Sequence, residues 1–338
     1  MRAALFSGFL LAAAAFAQSG NTTGPCGRAC LEGFVNQYLD AVVAHNLASV
    51  PIAPGARFTE NGQRLPLGDG LWNTMGARGK YRLYVSDPRA GEVVFFGSVL
   101  ENGTPALMAL RLKIENRRIS EIESIVARGT GGGARGEEGA RILDGIGSPH
   151  PVFLEAVPEA KRASRDELLK TANYYFSGIE KDDGKGIYPF TDDCNRLENG
   201  RLTTNKPGQY SSSQKGGFDL TALGCKAQLE TGFFHFVTRV RDRRFVALDE
   251  ERQLALAFVF FDHAGNAQPV TMPNGSVMPA GPLLPSTWEI AELFRIEGGK
   301  IRRIEAVLDA CPYGMNSGWS NWEDGLSSRM RWAGGALK

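Results

Sequence analysis

The sequence predicts an α+β protein in which one domain is written twice, and three observations predict it. A helical stretch with apolar residues at three- to four-residue spacing opens each half, at about 31–45 and again at about 165–182. Hairpin-like runs of alternating or wholly apolar residues, punctuated by Asn, Gly and Asp turns, fill the rest of each half. Four landmarks recur in the same order in both halves, which is the mark of a duplication. A length of 338 residues independently suits about two domains.

The first residues read as a leader rather than as part of the fold. Met1-Arg2 is a short positive start, Ala3 to Phe16 is apolar and alanine-rich, and Ala15-Phe16-Ala17 has the small-x-small form of a cleavage site. The run is shorter than the roughly 20 residues of a spanning helix, so residues 1–17 are expected to be a signal peptide and the mature chain to be secreted or periplasmic. The first domain, 24–128, opens with its helix and ends that helix near His45. The turn Glu60-Asn61-Gly62 follows, then GKYRLYV and EVVFFGSVL flanking a turn, then the closing hairpin LKIENRRISEIE. Residues 129–163 carry Gly clusters and spaced prolines and are expected to be a linker with a surface strap.

The second domain, 164–325, repeats the plan. Asn173-Tyr174-Tyr175 matches Asn36-Gln37-Tyr38, and Glu198-Asn199-Gly200 matches Glu60-Asn61-Gly62. Asp249, Phe258 and Gly265 each fall 162 positions after Asp87, Phe96 and Gly103, and FRIEGGKIRRIE matches LKIENRRISEIE. Runs such as LALAFVFF are apolar on both faces, so both sides of that sheet must be covered. One side is expected to take the helices and the other a second sheet, from the sister copy or from a homodimer partner.

Composition excludes several classes. With 43% hydrophobic and 22% charged residues and Lys+Arg 38 against Asp+Glu 37, the chain is neither disordered nor a polybasic nucleic-acid binder. Removal of Arg2 with the leader takes the net charge from +1 to zero. An exported chain meets an oxidising compartment, where Cys26, Cys30, Cys194, Cys225 and Cys311 can form disulfides. Cys26 with Cys30 and Cys194 with Cys225 are reasonable partners, although spacing alone does not fix connectivity, and the odd count leaves one thiol over. CGRAC is not a zinc knuckle and His45, His150, His235 and His263 form no HxH or HExxH pair, so no metal is expected. Phosphate-binding frames and nucleophile frames are missing as well, so no cofactor is expected.

AVVAHN at the helix end, PGARFTENGQRLPLGDGLW, and a sheet closing on RIEGGKIRRIE resemble the SnoaL-like branch of the nuclear transport factor 2-like superfamily. The second copy, with SRDELLKTANYYFSGIEKDDG, CNRLENG, RDRRFVALDEE and PYGMNSGW, resembles secreted relatives of that branch. The resemblance covers nearly all of the mature chain. It implies two cone-shaped domains, each with N-terminal helices on a curved antiparallel sheet, a fold that hosts isomerases, dehydratases, cyclases, hydrolases and binding domains.

Residues that differ between the copies are the freer ones to do chemistry. In WEIAELFRI the alternation places Ile290, Glu292, Phe294 and Ile296 on one face, and the counterpart of Glu292 in the first copy is Leu110. A carboxyl in an apolar row gains proton affinity, which suits a general acid or base. His235, in GFFHFV and roughly aligned with Asn73, is the second catalytic candidate. Arg243 and Arg244 are candidates for binding a carboxylate or polarising an oxygen, with one of the two expected to point to solvent. Tyr313 and Trp319 are candidates for closing a pocket mouth. His45, Asp87 and Asp249 sit at helix ends and turns and are expected to be structural, and His263 is expected in a turn. The function these residues permit is cofactor-free acid/base chemistry of lyase, dehydratase or isomerase type on a small molecule. The competing reading is a non-catalytic ligand-binding or dimerisation module.

Overall fold

The first helix, α1 (Arg28–Val43), forms because Leu31, Val35, Tyr38, Leu39 and Val42 make one apolar stripe, and that stripe is buried. The structure, a computed structural model, describes residues 26–129, 135–180, 182–208, 217–279 and 281–334. The signal peptide expected at 1–17 lies outside the described residues.

After α1 the chain forms β1 (Ile52–Glu60), β2 (Gln63–Arg64), β3 (Met75–Asp87), β4 (Glu92–Glu101), β5 (Thr104–Glu115) and β6 (Arg118–Ala127). Next come α2 (Gly136–Ile146) and α3 (Arg165–Glu180), whose buried stripe includes Leu168, Ala172, Tyr175, Phe176 and Ile179. The second half then adds β7 (Phe190–Glu198), β8 (Arg201–Leu202), α4 (Cys225–Glu230), β9 (Arg239–Asp249) and β10 (Leu254–His263). It closes with β11 (Val270–Thr271), β12 (Val277–Met278), β13 (Ser286–Glu297), β14 (Lys300–Cys311), α5 (Trp322–Leu326) and β15 (Arg331–Trp332).

The repeat is visible in the hydrogen bonding. One sheet runs β2-β1-β6-β5-β4-β3; the other runs β8-β7-β14-β13-β10-β9, with β15 added at its end. Register repeats residue for residue: Phe95 faces Leu110 and Leu110 faces Ser124, while Ala257 faces Glu292 and Glu292 faces Ala306. The sheets are not wholly antiparallel. β1 pairs parallel with β6, and β7 parallel with β14, because each domain's first strand is laid beside its last. The recurring Glu-Asn-Gly turns have a common job. Asn61 and Asn199 take positive φ, and their side chains clasp both backbone groups of Val126 and Leu308 respectively.

Three apolar layers hold the molecule. α1 packs on one face of the first sheet, α3 on one face of the second, and the remaining two faces pack on each other through residues such as Phe96, Leu107, Ile125, Val246, Phe258 and Leu293. The sheet faces considered for a homodimer are therefore covered within one chain by the sister copy. Two reciprocal ion pairs lock the copies. Arg28 at the start of α1 grips Asp249 at 2.6 and 2.8 Å, and Arg165 at the start of α3 grips Asp87 at 2.6 and 3.1 Å. Asp87 and Asp249 are thus structural, each holding the other copy's helix.

The segment expected to be a linker is not a loose one. α2 seats Ala140 and Leu143 in the layer between the sheets, and Val152 and Phe153 join them. Its glycines permit close approach rather than flexibility: a Cβ on Gly139 would lie 2.1 Å from the Asn199 carbonyl oxygen.

Disulfides join Cys26 to Cys30 and Cys194 to Cys225, and Cys311 is free. Two such bonds suit an oxidising, extracellular setting. No helix among the described residues is long and apolar enough to cross a membrane.

Candidate functional site

The face of the second sheet beneath α3 holds the one predicted acid that lies within an apolar core. Ile290, Phe294 and Ile296 pack there with Tyr175 and Phe176, as the alternation requires, and Glu292 sits in their row, 2% exposed. The Tyr175 hydroxyl and the Arg196 guanidinium approach its carboxyl. Burial, reinforced by the Glu198 charge, pushes Glu292 up to about 8, with Arg196 and Tyr175 pulling the other way. The acid is therefore mainly neutral at pH 7 and close to the point of exchanging its proton.

This polar group is peculiar to the second copy. Tyr175 repeats Tyr38, but the Tyr38 hydroxyl accepts from Trp72 Nε1 at 2.9 Å, and the first copy has Leu110 and Phe58 where the second has Glu292 and Arg196. Arg196 is fully engaged: it bonds Glu198 at 3.0 Å, Thr203 at 3.0 Å and Gln228 at 2.8 Å, and its guanidinium lies 5.2 Å from the Phe234 ring. The carboxyl, phenol and guanidinium form a proton-holding cluster roofed by α3, α4 and the 233–236 turn.

The other predicted residues are dispersed. His235 is half-buried, its Nδ1 3.1 Å from the Gly232 carbonyl and its Nε2 2.8 Å from the Gln268 carbonyl, so its hydrogen bonds fix a loop and do not reach Glu292. Arg243 and Arg244 are both buried, against the expectation that one faces solvent, because each face of this sheet is covered. Neighbouring residues of a strand point to opposite faces, and the bulge at Asp242, with φ 49, sets which of the two arginines takes which face. Arg243 runs toward α3, where it meets Asn173, Ser177 and Glu180; Arg244 runs between the sheets and grips Glu123 at 2.5 and 3.1 Å. Tyr313 is exposed on the C-terminal segment. Trp319 donates to Thr59 of the first copy at 2.8 Å and stacks under Arg57 and Arg111, so it seals the seam between the copies rather than a mouth of the second cone.

Around that seam lies a buried charged cluster that the sequence analysis missed. Arg111 bonds Glu92, Glu121 and Glu123, while Glu289 is 2% exposed with one oxygen unpartnered among the described residues. Burial, with the Glu123 carboxylate near, holds Glu289 well above the usual carboxyl range, and burial lifts Asp309 to about 6. The signal was present as charges within otherwise apolar strands, but it is readable only once the facing sheet is known.

The histidines set aside as structural are informative too. His45 Nδ1 donates to the Trp72 carbonyl, and at the matching helix end Asp182 accepts from the Phe234 amide, so opposite chemistries make one joint. His263 is not in an open turn; it ends β10, stacked on Phe236 and edge-on to Trp288, and burial pulls it down to about 4. Among the described residues no group of three or more His, Cys, Asp or Glu side chains is placed to hold a metal ion.

A family described as Domain of unknown function (DUF8021) has a model that matches residues 26–126 and 161–308, one segment in each copy. No curated protein matches the chain. Among solved structures, a de novo designed protein with a curved β-sheet is similar at 18% identity and a TM-score of 0.24, over 44% of this chain and 88% of that one. AclR from Streptomyces galilaeus is similar at 17% identity and a TM-score of 0.27, over 44% of this chain and 83% of that one.

Proposed function

The chain belongs to the DUF8021 family, and from that premise we propose that it is a secreted, tandem SnoaL-like protein whose second cone performs cofactor-free acid/base chemistry on a small molecule. The single observation that carries the reading is Glu292, a carboxyl with a pKa near 8 placed against Tyr175 and Arg196 where the sister copy has an apolar residue. In its neutral form Glu292 gives a proton to a leaving or carbonyl oxygen; as the carboxylate it takes one from carbon, with Tyr175 holding the oxygen. Tyr175 replaces His235 as its partner. Since Glu292 is 2% exposed, substrate access requires the roof at 225–236 to move. That chemistry is an elimination or isomerisation.

The second reading, a non-catalytic binding module, is favoured by how fully the cone is filled, with Phe294 5.3 Å from the Tyr175 ring and 5.4 Å from Phe176. Turnover of a panel of small hydroxylated carbonyl compounds, followed by mass spectrometry, separates the two. The native protein should convert at least one compound and Glu292→Gln should be slower by about 10²–10⁴. Equal rates in both proteins remove Glu292 from the mechanism, and no conversion by either favours the binding module.

A further inference from the structure

Outside the second cone, a groove of about 510 Å³ runs along the solvent side of α3, between that helix and residues 183–187, with Met330 at one end. Its polar floor is set from behind. The buried Arg243 guanidinium donates to Asn173 Oδ1 at 3.2 Å and to Ser177 Oγ at 3.0 Å, while its other nitrogens are taken by the Val240 carbonyl and by Glu180. An amide whose oxygen is held by arginine must turn its NH2 the other way, and a hydroxyl that accepts from arginine keeps its own proton to give. Both groups line the groove, and a buried cation behind them makes the protons they retain stronger hydrogen-bond donors.

The walls add charge and apolar surface. Lys170 and Lys185 are exposed at the groove and enter no ion pair among the described residues; Asp183 is its acidic lining residue. Tyr174, Ile187 and Met330 line it with apolar surface, and Ile187 is 62% exposed there. The corresponding helix position in the first copy has Gln37 in place of Tyr174.

We infer that this groove binds a small amphiphilic carboxylate, its acid group on Asn173, Ser177 and the two lysines and its apolar body on Tyr174, Ile187 and Met330. The inference stands apart from the chemistry assigned to Glu292. It is tested on the full chain by calorimetric titration with 4-phenylbutyrate and, as the matched neutral body, 4-phenylbutanol. The acid should bind at least about tenfold tighter than the alcohol, as a charge-assisted contact requires. Lys170→Ala/Lys185→Ala should erase that preference while keeping the native melting temperature, and Glu292→Leu should bind the acid as the parent does. Equal binding of acid and alcohol, unchanged preference in the double lysine variant, loss of binding in Glu292→Leu, or no binding of the acid at millimolar concentration would each overturn the assignment.

Discussion

Replacement of Glu292 by Leu asks whether this carboxyl is kept at a cost to stability. The first copy carries Leu110 at the same register position, fully buried, so leucine fits this place in the fold. A carboxyl that titrates near 8 when folded and near 4.3 when unfolded binds its proton more tightly in the native state. Its contribution to stability is therefore complete in acid and is lost progressively as pH rises from about 4.3 to about 8. At pH 7 the unfolded state has released a proton that the native state retains, which removes about 3–4 kcal/mol relative to pH 4. Leucine has no such dependence. It leaves the Tyr175 hydroxyl without its carboxyl partner, at roughly 1–3 kcal/mol, but that loss is nearly independent of pH. Melting curves of parent and Glu292→Leu between about pH 4.5 and 7.5 should thus separate in the variant's favour as pH rises, by roughly 5–6 °C over the range for a chain of this length. Parallel curves, or a gap that moves in the parent's favour, would falsify the assignment of a buried neutral acid.

Other consequences follow from the same contacts. Arg165→Ala strips the buried Asp87 of its bidentate partner and should cost about 3–5 kcal/mol in denaturant titrations, whereas the more exposed Arg28→Ala should cost less. Removing the Cys194–Cys225 bond by a paired serine substitution frees a loop with a sequence separation of 31 and should cost about 3.5 kcal/mol, well above the effect of removing Cys26–Cys30 with its separation of 4. Cys311, whose thiol is pushed up by burial and by the neighbouring Glu289, should resist iodoacetamide at pH 8 in the native protein and react promptly in urea, as read by intact mass.

The α-then-hairpin order, the duplication and the row containing Glu292 were legible in the chain because each is a local period or a repeated string. Ile290, Glu292, Phe294 and Ile296 share a face wherever that strand is placed, since a strand alternates by two whatever covers it. The recurrence of Asn61 and Asn199 likewise needs only a turn that demands positive φ. The fate of Arg243 and Arg244 was not legible: consecutive residues on a sheet with one wet face would split between core and solvent, and here the second face is covered by the sister copy. α2 was hidden for a related reason, because Gly136 and Gly139 read as flexible until the backbones they touch are in place. His235 and Trp319 went to the Gln268 carbonyl and to Thr59, partners 33 and 260 positions away, which no local pattern encodes.

The sequence by itself determined the elements, the repeat and the place of Glu292 in an apolar row where the first copy has Leu110, since these depend on periodicity and composition along the chain. Only the tertiary structure decided that Tyr175 and Arg196 are the neighbours of Glu292 and that Arg28 and Arg165 each hold the other copy. The physical reason is that burial and charge pairing are set by what lies across a packed layer, and a chain reaches that layer only by folding.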